Sequence, residues 1–110
     1  MTYVRGFGSY QPSLRMDSAR LGDWIDSSPD FLEQKVGIRS RAFLSDPEPT
    51  SDMAIGAAES LLQNSTGLRR EAVELLIVVT QNPDYQLPHT AALVHDRLGL
   101  SKSCASFDLS

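Results

Sequence analysis

A thiol and two imidazoles are the side chains of this sequence best suited to covalent or acid–base chemistry: Cys104, His89 and His95. A cysteine attacks as its thiolate, which needs a helix N-terminus or a nearby cation to lower its pKa. Cys104 instead opens a predicted strand, the wrong end for chemistry, and a lone cysteine among small and apolar neighbours reads as a buried packing residue. His89 and His95 are six apart on a predicted helix, roughly 240° around its axis, so they share no face. Two histidines without a third ligand make a poor zinc site, and neither is expected to act as a ligand or base. Phe31 and Leu32 read as helix anchors and Lys35 as solvated, although stacking aromatics and core aromatics share one sequence signature. Tyr85 and Leu87 share the loop 81–87, whose length and side chains suit an interface contact. Arg39 and Arg41 are expected to form surface pairs with carboxylates, which contribute little.

The elements that must position these residues follow from periodicity. Residues 3–10 read as a first strand, with Tyr3, Arg5 and Phe7 alternating against Val4, Gly6 and Gly8, and Pro12 closing it. Residues 18–25 read as a short helix with Leu21, Trp24 and Ile25 on one face. Ser28-Pro29-Asp30 marks a helix start and Gly37 its end. Residues 38–43 read as extended or irregular, and 46–49 as a surface loop. Residues 51–64 form the strongest helix, because Ala54, Ala57, Ala58, Leu61 and Leu62 repeat at helical spacing. Its three alanines imply close approach to a sheet. The apolar run 75–80 suits a central strand buried on both faces. Pro88 is expected to open a helix carrying Ala91, Ala92, Val94 and Leu98, with Gly99 beyond its end, and residues 105–109 form a last strand. Strands alternating with helices imply right-handed crossovers and a parallel α/β sheet, with functional groups at the carboxyl ends of the strands: Tyr10, the loop 81–87 and Ser110.

Bulk properties narrow the function. The 110 residues fit one small domain, and 41% hydrophobic with 22% charged residues is a globular composition. A net charge of −4 argues against a nucleic-acid footprint, which needs clustered Lys and Arg. No run approaches the about 18 apolar residues of a membrane span, and Met-Thr-Tyr-Val-Arg-Gly carries no apolar signal core. One cysteine forms no internal disulfide, consistent with a reducing cytoplasm.

Seven stretches taken together are specific: Gly6-Phe-Gly-Ser-Tyr-Gln-Pro12, Ile25-Asp-Ser-Ser28, Val36-Gly-Ile-Arg-Ser-Arg41, Thr50-Ser-Asp52, Leu76-Ile-Val-Val-Thr80, Leu87-Pro-His-Thr-Ala-Ala92 and Phe107-Asp-Leu-Ser110. In this order and spacing the chain resembles the N-terminal part of a β-ketoacyl-acyl-carrier-protein synthase III, a thiolase-like condensing enzyme. The resemblance implies a layered α/β/α/β/α fold built from two halves. Residues 1–110 would cover most of the first half and stop before the nucleophile. It also implies an acyltransferase that moves an acyl group from acyl-CoA to a cysteine and condenses it with malonyl-carrier protein. The family's cysteine falls just beyond Ser110 and its histidine and asparagine lie further downstream, so no catalytic residue is expected in this chain.

The resemblance also assigns binding roles. Phe31 matches an aromatic position that stacks on the adenine of coenzyme A, Lys35 an arginine at the nucleotide end, Val36 a threonine beside it, and Ser27 a threonine touching the same end. A smaller aromatic, a lysine in place of a planar guanidinium and a lost hydroxyl imply weaker coenzyme A binding or a different acyl donor. Leu87 matches an apolar residue that closes the partner subunit's acyl pocket, against the plainer reading of an apolar residue before a helix-opening proline. The resemblance further implies acyl-CoA and acyl carrier protein as partners, a homodimer, a cytoplasmic location, and no metal or cofactor, acyl-CoA being a substrate. Two rivals stand beside this reading. One is a relative making polyketide, quinolone or hydrocarbon precursors, or transferring acyl groups without condensation. The other is a non-catalytic subunit or small α/β module, which would carry polar covering over both faces of the strand 75–80.

Overall fold

The computed structural model describes residues 1–45 and 48–110, and the chain divides into two compact units, Gln11–Glu48 and Met1–Tyr10 with Pro49–Ser110. Asp46 and Pro47, in the expected loop 46–49, lie outside the described residues.

In the unit Gln11–Glu48, strand β1 (Leu14–Asp17) pairs antiparallel with β2 (Ser40–Phe43), Leu14 opposite Phe43 and Asp17 opposite Ser40. Helix α1 (Ser18–Ile25) begins where β1 ends, and the Asp17 carboxylate accepts the Arg20 N–H at 2.8 Å, satisfying one donor of the first turn. The face buried by α1 differs from the expected one. Ser18, Leu21 and Gly22 are buried, whereas Trp24 is 66% and Ile25 53% exposed. Gly22 sets this orientation. A Cβ there would lie 2.3 Å from the Ser27 carbonyl oxygen, so the chain can turn tightly back over that side of the helix. Trp24 instead meets the Phe43 ring edge-on, with centroids 5.4 Å apart.

The expected helix start at Ser28 is present. Its hydroxyl accepts the Phe31 N–H at 3.1 Å, and Pro29 and Asp30 are helical. Residues Phe31–Val36 are wound as a π-helix, which periodicity did not foretell. Gly37 ends it at φ 83°, and Leu32, 3% exposed, is its buried anchor. The Ser18 hydroxyl donates to the Glu33 carboxylate and ties α1 to this segment.

The second unit contains α2 (Thr50–Asn64), a 3₁₀ turn (Arg70–Ala72), β3 (Leu75–Val79), α3 (Thr90–Arg97) and β4 (Ala105–Leu109). Strands β3 and β4 are parallel, Leu75 opposite Ala105 through Val79 opposite Leu109, with α3 as the crossover. Val78, Ala91, Val94, Leu98, Leu100 and Cys104 form the core, and Ala54, Ile55, Ala58, Val73 and Leu76 pack against it. Ala54 and Ala58 of α2 pack against this core, but the close neighbour of that helix is α3 and not the sheet, contrary to the expectation.

Three expectations are corrected here. First, residues 1–13 form no strand. The glycines expected to permit close packing do so against a helix: a Cβ on Gly8 would lie 2.3 Å from the Ala57 oxygen and 2.5 Å from the Leu61 nitrogen. Alternation marks extended backbone, but a strand also needs a neighbour's hydrogen-bond ladder. Second, β3 is buried on one face only. Leu76 and Val78 face the core, while Leu75, Ile77 and Val79 are 50%, 44% and 74% exposed. Their partners Phe107 and Leu109 on the same face are 41% and 50% exposed, because none of the described residues covers that side. Third, α3 begins at Thr90 and not at Pro88, because a carboxylate of β4 takes up the Thr90 and Ala91 N–H groups.

Candidate functional site

The carboxyl ends of β3 and β4 meet the N-termini of α2 and α3, and polar groups join all four. Asp108 of β4 accepts the Thr90 N–H at 2.8 Å and the Ala91 N–H at 2.6 Å. A carboxylate there satisfies two orphan donors and complements the positive end of the α3 dipole. The Thr90 hydroxyl, on a residue with 0% exposure, accepts the Asp84 N–H at 3.3 Å. The Asp84 carboxylate accepts the Ser51 N–H at 3.0 Å, and the Thr50 hydroxyl donates to the Asn82 carbonyl at 2.7 Å. The loop 81–87 is therefore pinned to α2 and α3 at Asn82 and Asp84. Its large side chains Tyr85 and Leu87 remain 61% and 76% exposed. The ladder continues past β3 through the Thr80 N–H to the Leu109 carbonyl at 3.0 Å, which aligns the two strand ends. An apolar cleft of about 390 Å³ opens at the end of β3, lined by residues that include Tyr10, Thr50, Ala54, Val78 and Thr80.

The nucleotide-end candidates lie in the other unit. Phe31 is 52% exposed on the first turn after the Ser28 cap, and Leu32 beside it takes the anchoring role. Lys35 is exposed about one turn further along, and Val36 is 49% exposed at the segment's end. Ser27 is half-buried in the turn before it. Leu87 belongs to the loop just described. An exposed ring beside an exposed ammonium is a surface to which a flat, anionic ligand can bind.

Cys104 sits as its residue type implied. Cys104 is 7% exposed at the start of β4, packed in the core at the far end of the strand from Leu109. The His95 Nε2 lies 3.0 Å from the Ser101 carbonyl and braces the turn after α3, while His89 is exposed ahead of the helix. Among the described residues no cluster of three or more His, Cys, Asp or Glu is placed to hold a metal ion. Arg41 lies over the Phe43 ring at 5.7 Å. Ion pairs among the described residues include Arg70 with Glu59 at 2.5 Å and Arg97 with Asp52 at 2.6 Å, neither of them expected.

Sequence reasoning missed Asp108, Thr90 and Asp84. The signal was present: a carboxylate inside an apolar strand, on the parity that faces the helix layer, requires donors in that layer. It also missed a groove of about 510 Å³ over α1, lined by Met16, Arg20, Asp23 and Trp24.

No family model matches the chain. It is 36% identical over 106 residues to a β-ketoacyl-[acyl-carrier-protein] synthase III of Neisseria meningitidis, covering 96% of this chain and 33% of that protein. The counterpart from Clostridium perfringens is 37% identical over 107 residues, 97% of this chain and 32% of that protein. Among solved structures, a β-ketoacyl-[acyl carrier protein] synthase III from Thermus thermophilus superposes with a TM-score of 0.83 at 34% identity, over 98% of this chain and 33% of that one. Xanthomonas campestris OleA superposes with a TM-score of 0.79 at 26% identity, over 96% and 32%. The chain spans about a third of the length of the relatives it matches. Its fold is that of part of these thiolase-like proteins.

Proposed function

We propose that this chain, homologous over nearly its whole length to β-ketoacyl-[acyl-carrier-protein] synthase III, is the part of a condensing acyltransferase that forms the coenzyme A entrance and carries the strand leading to the nucleophile. The whole-length match carries this reading. The open apolar face of β3 and β4 supports it over a free-standing module, which would clothe both faces of β3.

In the proposed reaction a cysteine thiolate beyond Ser110 attacks the thioester carbonyl of acyl-CoA. The carbon–sulfur bond to coenzyme A breaks, and coenzyme A leaves as a thiolate that takes up a proton. Malonyl-carrier protein then loses carbon dioxide, and the resulting enolate attacks the acyl-enzyme and expels the cysteine thiolate. The chain's own residues bind and orient. Phe31 offers its exposed ring to the nucleotide base, and Lys35 offers a point charge to a phosphate, without the bidentate geometry of an arginine. Ser27 and Val36 flank them, and Leu87 forms a wall of the acyl site across a homodimer interface. Acyl-CoA and acyl carrier protein are the substrates, no metal or cofactor takes part, and the enzyme works in the cytoplasm.

The test is acylation of the full-length protein by acyl-CoA, read by intact mass, followed by release of labelled carbon dioxide from malonyl-carrier protein. An acyl-enzyme that forms without ever releasing carbon dioxide rules out condensation with this acceptor. It would favour the second reading, another acceptor, to which the likeness to OleA and the residues at positions 31, 35 and 36 point. Absence of any acyl-enzyme refutes both.

A further inference from the structure

We propose that Thr90 is a positioning residue that ties the loop 81–87 to the end of β4 and thereby sets where Leu87 is presented. The inference rests on the reading of Leu87 as a wall of the acyl site. Thr90 is fully buried, and both of its polar links point to this role. Its N–H is held by Asp108 at 2.8 Å, and its hydroxyl receives the Asp84 N–H at 3.3 Å. Asp84 in turn holds the Ser51 N–H, so Thr90 links the loop to the strand end, its hydroxyl through Asp84 and its N–H through Asp108. A short loop bearing two large exposed apolar side chains has little burial of its own to hold it. Its placement therefore depends on these polar pins. Removing the hydroxyl breaks the link to the Asp84 N–H and spares the helix cap, because Asp108 holds backbone N–H groups that every residue but proline keeps at position 90.

The experiment compares Thr90→Val, Thr90→Ser and, as a control in the same helix, Val94→Ala in the full-length protein. Two quantities are read: the ratio of acylation rates for a preferred and a longer acyl-CoA, and amide hydrogen exchange across residues 81–92. Thr90→Val is expected to lower the acylation ratio about five-fold, the worth of one buried hydrogen bond, and to speed exchange within 81–89. Thr90→Ser keeps the wild-type ratio. Val94→Ala lowers the melting temperature without moving the ratio, which separates positioning from general destabilisation. A wild-type ratio in Thr90→Val, or the same shift in Val94→Ala, overturns the proposal. Should Thr90→Val fail to fold, Asp84→Asn, which weakens the pin at Ser51, is read against the same two criteria. A wild-type protein that takes up no acyl group refutes the parent reading, and the exchange data then decide alone whether Thr90 anchors the loop.

Discussion

The open sheet face makes a quantitative prediction about the difference between this chain and a longer protein. Val79 is 74% exposed, and full burial of such a side chain stabilises by about 1.5–3 kcal/mol relative to exposure. Roughly three quarters of that, about 1–2 kcal/mol, is therefore unrealised in the 110-residue chain. Val79→Thr keeps the β-branch and strand preference but replaces a methyl with a hydroxyl. In the isolated chain, where the side chain meets water, the substitution should cost less than about 0.5 kcal/mol. In a full-length protein whose further layers cover the face, as the proposed reading requires, it should cost about 1–2 kcal/mol. Urea unfolding of both proteins, with and without the substitution, gives the two differences. The isolated chain should also self-associate in sedimentation and bind a hydrophobic dye, and Val79→Thr should reduce both. Equal small costs in the two proteins, with an isolated chain that stays monomeric, would show that the face belongs on water and that the layered reading is wrong.

Other consequences are smaller in scope. Asp108→Ala should cost about 2–3 kcal/mol, since it leaves two helix-start N–H groups near the core without their acceptor; a loss under about 0.5 kcal/mol in urea unfolding contradicts the cap. Phe31→Ala should raise KM for acyl-CoA roughly ten-fold with kcat little changed, the usual scale for losing an aromatic–base stack; an unchanged KM removes Phe31 from the binding surface. Gly8→Ala places a methyl against the α2 backbone and should release residues 1–10, seen as faster proteolysis there; unchanged resistance shows that α2 yields instead. Glu59→Gln should lower stability by less than about 1 kcal/mol, because the Arg70 pair is about one third exposed. A larger loss would assign that pair a structural role its exposure does not support.

Local chemistry was enough to place α1, α2, β4, the Ser28 cap and the Gly37 stop, because each is set by residues within a turn or two of one another. The same holds for the packing role of Cys104, since an apolar strand entry needs no distant partner to be recognised. The ordered set of short motifs carried the resemblance to these relatives and the fold. The chain alone did not determine which elements would meet. Residues 3–10 have a strand's alternation but lie against α2, because a ladder requires a neighbour that periodicity cannot name. The run 75–80 has the composition of a strand buried twice, but only packing shows that one side faces water here. The Asp108–Thr90–Asp84 connection spans residues up to 24 apart in the chain, and Ser51 joins it from 33 residues before Asp84. Hydrogen bonds of that reach depend on where the tertiary fold brings backbone donors. The residue types fix only that a partly buried carboxylate must find some.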